Sequence, residues 1–174
     1  MKKFFVGVLT IIILLLFIWM QAYIFNYFSL FGVIPNIGII LIISISMCAG
    51  KNIGAFSGLV YGALFDIAFE NTFGVYTFLF GSLGYLVGLL KGELALDNQL
   101  SISLIVTIST IIIEIINLIF LNFKNAFFDV SYLYIFKVIS LEVIYNIFLT
   151  VVMYKPLMIL GDIINRSRRA YYEL

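Results

Sequence analysis

The chain runs from Phe4 to Met20 without a charged residue, and only Gly7 and Thr10 interrupt its large apolar side chains. Equally uncharged stretches recur at 37–49 (IGIILIISISMCA) and 100–113 (LSISLIVTISTIII). Few folds can absorb such segments. Of the 174 residues, 64% are hydrophobic and 11% charged, whereas soluble domains are about a quarter charged. A water-soluble domain of this length could not cover so much apolar surface, so lipid must be the solvent. At about 20 residues per crossing, the expected fold is an all-α integral membrane protein, a six-transmembrane-helix bundle in one domain. The predicted spans are 4–28, 33–50, 53–70, 73–90, 100–121 and 130–160, followed by a short basic tail, 161–174. Lys2 and Lys3 ahead of the first run resemble a signal peptide. The run nevertheless exceeds the usual apolar region of about 7–15 residues, and no small-x-small cleavage site follows, so it is expected to stay as span 1.

Composition also closes off most chemistry. There is no His, and Cys48 is alone within an apolar run. That leaves no disulfide framework, no Cys/His zinc site and no His-based nucleophile pair. A net charge of +1 gives no reason to expect nucleic acid. No catalytic residue, metal or cofactor is predicted.

Orientation follows from the basic residues. With both termini cytoplasmic, Lys2, Lys3, Lys51, Lys91, Lys155, Arg166, Arg168 and Arg169 fall on or near the inner face. Lys124 alone lies in an outer loop, and Lys137 lies within span 6. The basic tail is read as an anchor on anionic lipid, with contact to a cytoplasmic partner as the alternative. Pro35 sets the first turn of span 2.

Two features inside the spans need an explanation. Gly54, Gly58 and Gly62 on span 3, and Gly84, Gly88 and Gly92 on span 4, recur every four residues. Each set makes a flat stripe, and close backbone approach is what holds helices together in lipid. The two spans are expected to pack as an antiparallel hairpin, with part of the surface open to a partner helix as the alternative. Span 1 has no such stripe between Val8 and Gln21.

The second feature is charge within the spans. Asp66 and Glu70 share a face of span 3, Glu114 and Asn117 lie on span 5, and Lys137, Glu142 and Asn146 lie on span 6. Each charge at the bilayer centre costs about 2.5–3.5 kcal/mol, so these groups should face inward and find partners. Lys137 is expected to pair with Asp66 or Glu114, and Glu70 to reach the outer interface. Three readings remain for the cluster: a network fixing helix register, a ligand or ion pocket opening outward, and a proton or ion relay.

The segments PNIGIILI, GALFD (62–66), Gly74 and LGYLVGLLKGEL (83–94), in that order and spacing, resemble the bacterial rod shape-determining protein MreD family. The chain departs from that pattern at Val75-Tyr76, where Leu-His is common, and at Phe73, where Pro is usual. The resemblance implies a multi-pass protein of the bacterial inner (plasma) membrane in the rod or elongation complex. Its implied partners are a bitopic MreC-like shape protein and, indirectly, MreB filaments and peptidoglycan synthases. It also implies a fold similar to the substrate-binding subunits of energy-coupling-factor vitamin transporters, and such a subunit is the alternative function. A membrane enzyme, the third option, lacks a catalytic set.

Overall fold

The computed structural model describes residues 2–27, 29, 32–69, 74–92, 99–124 and 132–169. Within them the chain forms six α-helices: α1 (Lys2–Tyr27), α2 (Ile37–Ala49), α3 (Lys51–Phe69), α4 (Val75–Leu89), α5 (Gln99–Lys124) and α6 (Tyr132–Arg169). Three described segments are long and apolar enough to cross a membrane: Lys51–Phe69, Gln99–Phe120 and Ile135–Met153. Apolar side chains of α1, α5 and α6, among them Ile12, Trp19, Leu104, Ile108, Phe136 and Phe148, are exposed. An apolar surface that broad would drive aggregation in water, and lipid is the medium that suits it.

α2 is the axis of the bundle. All 13 of its residues are buried, and it touches each of the other five helices. A helix apolar on every side must be enclosed on every side. Enclosure also accounts for its shortness, because neighbours rather than lipid surround it. Tyr61 of α3 lies against it so closely that a Cβ on Gly38 would strike the tyrosine ring. Tyr61 in turn meets Phe80 of α4 edge-on, with ring centroids 5.2 Å apart. Phe65 bridges to Tyr76, with centroids at 4.6 Å.

The most extensive helix contact is between α3 and α4, and glycine is its cause. A Cβ on Gly54 would meet the Gly84 carbonyl, one on Gly58 the Phe80 carbonyl, and one on Gly62 the Tyr76 carbonyl. From the other side, Gly84 faces the Gly54 backbone and Gly88 the Lys51 backbone. The two backbones therefore touch along an antiparallel seam, as small-residue spacing allows. Gly92 corrects the expected stripe. α4 ends at Leu89, and Gly92 lies in the turn beyond it with φ +96° and nothing within 4 Å of where its Cβ would be. Its spacing matches the stripe, but its use is a left-handed backbone.

At the opposite end of α2, the Lys91 ammonium donates to the Cys48 carbonyl, placing a cation at a helix C-terminus, where the dipole favours one. α6 continues through Pro156 to Arg169, well past the apolar stretch that ends at Met153. Its 38 residues reach about 57 Å at 1.5 Å per residue, nearly twice the hydrocarbon thickness of about 30 Å.

Candidate functional site: a polar core at two buried helix entrances

α2 and α4 both begin inside the protein, at the end of the bundle where α1 and α3 finish. A helix N-terminus leaves backbone N–H groups without intrahelical acceptors. In an apolar interior each must find a partner. Neither helix supplies its own: Asn36 and Gly74, the residues before α2 and α4, make no side-chain capping bond. Other helices supply the acceptors.

At α4 the acceptor is Asp66 of α3, which is 1% exposed. Its carboxylate receives the backbone N–H of Gly74 (2.8 Å), Tyr76 (3.0 Å) and Thr77 (3.0 Å), and the Thr77 hydroxyl (2.6 Å). A negative charge at a helix N-terminus also opposes the positive end of the dipole. Of the two partners expected for Lys137, Asp66 is corrected: the aspartate is taken up by the first turn of α4. Lys137 is exposed, about 100° around α6 from its neighbour Val138 and the inward stripe that Val138 begins. Glu70 lies outside the described residues.

At α2 the acceptors are amides. Asn146 of α6 accepts the Asn36 N–H at 3.0 Å, and its own NH₂ donates to the Thr110 hydroxyl of α5 at 2.9 Å. Gln21 of α1 accepts the Ile37 N–H at 3.1 Å and donates to the Pro35 carbonyl at 2.9 Å. One turn from Asn146 on the same stripe, Glu142 is buried and lines the same cavity as Glu114 of α5. Asn117, one turn from Glu114, donates to the Tyr76 hydroxyl at 2.9 Å. Tyr76 thus joins the two halves of the polar core, donating its N–H to Asp66 and accepting at its hydroxyl from Asn117.

Five of the seven polar residues singled out in the sequence, Asp66, Glu114, Asn117, Glu142 and Asn146, lie in this core. Gln21, Asn36, Tyr76, Thr77 and Thr110 belong to it as well and were missed. Gln21 carried a signal, as an amide ending a long apolar run. The threonines carried none, since a buried Thr commonly bonds the carbonyl one turn back, as Thr110 does to Val106 at 2.9 Å.

Two concavities adjoin these elements. The first, about 350 Å³, is lined by Gln21, Asn36, Glu114 and Glu142, with Phe65, Phe69 and Tyr76 along one wall. The second, about 510 Å³, is an apolar groove between α4 and α5, walled by Leu83, Leu86, Ile112 and Ile116, with Ser82 and Ser109 also lining it. α4 and α5 barely touch, and the groove is the gap between them.

Fold and site define a helical membrane protein in which polar side chains serve buried helix ends. A family model, rod shape-determining protein MreD, matches residues 1–163, and the chain belongs to the MreD family. Its role is accordingly in determining cell shape. No curated protein and no solved structure matches the chain.

Proposed function

We propose that this protein is a non-enzymatic, six-span component of the rod or elongation complex, with both termini in the cytoplasm. In that role it holds a bitopic MreC-like protein and, through it, links cytoplasmic MreB filaments to side-wall peptidoglycan synthesis. Family membership supports the role, and the α4–α5 groove is the observation that carries the contact. In lipid, an apolar trough between two splayed helices is filled either by acyl chains or by another helix, and the small Ser82 and Ser109 permit close approach. A single transmembrane helix is the occupant we assign.

Six crossings are compatible with two short helices. α2 alone spans about 20 Å at 1.5 Å per residue, and the non-helical residues 33–36 before it add up to about 13 Å. Non-helical backbone at membrane depth is tolerated where protein groups satisfy it, as Gln21 and Asn146 do here.

The test is a photo-crosslinking residue at Leu86 or Ile112, both exposed, in cells of the native host. Capture of a single-span shape protein is expected, with Phe148 on α6 as the control position. Capture from Phe148 but not from Leu86 or Ile112 would move the contact elsewhere. Co-purification of paired ATPases with a large coupling protein would instead make the chain a vitamin-transporter subunit.

A further inference from the structure

We infer that the helix held in the α4–α5 groove carries an uncharged hydrogen-bonding side chain, an amide or a hydroxyl, near its midpoint. The inference rests on the groove being a helix-docking site and adds what the occupant must bring. Ser82 and Ser109 are the polar side chains in an otherwise apolar lining. Ser109 is 7% exposed, and Ser82 is half-buried. Among the described residues neither hydroxyl has a hydrogen-bond partner. Ser57 and Tyr61 also have unpartnered oxygens, but these are sealed inside the protein, whereas Ser82 and Ser109 open on the groove.

A serine or threonine within a helix commonly bonds the carbonyl one turn back. On α5, Ser103, Thr107 and Thr110 do so, at 2.9, 2.8 and 2.9 Å. Ser109, beside Thr110 in the chain, does not, so its hydroxyl remains open to another molecule. Its depth narrows what that molecule is. Ser82 is the middle residue of α4, and Ser109 lies close to the middle of the apolar segment Gln99–Phe120. In the six-span arrangement both sit near the bilayer centre, where no water is at hand to serve as a partner.

An acyl chain in the groove has neither donor nor acceptor to offer. An amide or hydroxyl on a neighbouring helix has both, and such side chains bond across helices in membranes. A charged side chain is disfavoured, because no lining residue carries a charge to oppose it and an unpaired charge at this depth is costly.

The experiment uses the whole chain in its native host, with the photo-crosslinking residue at Ile112 and the partner expressed at a limiting level. Capture of the single-span protein is compared with and without Ser82→Ala and Ser109→Ala together. The double variant is expected to lower the yield roughly five- to tenfold, the worth of two ordinary interhelical hydrogen bonds. The thermal midpoint of the purified chain should not change, since neither hydroxyl holds the fold. Ser101→Ala, on α5 but outside the groove, should leave capture intact. The captured span is expected to contain an uncharged polar residue near its centre, and with that residue replaced by leucine the serine variants should have no further effect. Undiminished capture by the double variant, a midpoint that falls with the yield, or a captured span lacking such a residue would overturn the inference and leave helix docking standing. No capture from Ile112, or capture of a second copy of this chain, would overturn both.

Discussion

Replacing Asp66 by alanine removes the acceptor for four donors at the start of α4. The cost can be bracketed. Interhelical hydrogen bonds in membranes average about 0.6 kcal/mol each, which puts four near 2.4 kcal/mol. The Tyr76 N–H is buried, and a buried donor left without a partner costs a further 1–3 kcal/mol or so. Asp66→Ala is therefore expected to lower stability by about 3–5 kcal/mol. Asp66→Asn is the informative companion. Its single oxygen can occupy the Oδ2 position, which serves Gly74, the Thr77 N–H and the Thr77 hydroxyl. Its NH₂ then faces the Tyr76 N–H alone, for a loss of about 1–2 kcal/mol. Titration with dodecyl sulfate from mild detergent, followed by far-ultraviolet circular dichroism, would rank the three proteins. The order wild type, Asn, Ala is expected. Asparagine as damaging as alanine, or alanine within 1 kcal/mol or so of wild type, would refute the capping role.

The remaining predictions use other parts of the fold. Gly58→Ala drives a methyl group into the Phe80 carbonyl and should cost about 1–3 kcal/mol as overpacking. Gly92→Ala meets no atom, so only its φ of +96° opposes it, at about 1 kcal/mol; equal losses for both would undo the distinction drawn between seam and turn. Asn146→Leu strands the Asn36 N–H and should cost about 2–3 kcal/mol, visible as a lowered thermal midpoint. An unchanged midpoint would mean that α2 does not depend on this cap. In a Cys48→Ala background, Lys51→Cys should react only with membrane-permeant maleimide and Tyr27→Cys also with an impermeant one, both sites being exposed. The reverse pattern would invert the proposed orientation.

Asp66, Glu142 and Gln21 show why part of the site was legible and part was not. That Asp66 and Glu142 needed inward partners could be read directly, because an acid within an apolar run has no other affordable place in lipid. Which partner each takes could not be read. The donors to Asp66 are mostly backbone N–H groups, which every residue but proline carries and no side-chain pattern advertises. A search for an opposite charge thus led to Lys137, the one cation at similar depth. Gln21 and Asn36 are a comparable case: their importance comes from non-helical backbone meeting side chains of α1 and α6, a contact between segments far apart in sequence.

What the sequence determined by itself was the solvent, the helical class and the α3–α4 seam. Apolar runs, scarce charge and glycine every fourth residue act through local geometry, and local geometry survives in any arrangement of the helices. Only the tertiary structure decided that α2 would be the enclosed axis, that Gly92 would serve a turn, and that the acids would meet helix ends and a cavity. Those outcomes depend on which N–H groups packing leaves unsatisfied, and that is settled only when all six helices are in place.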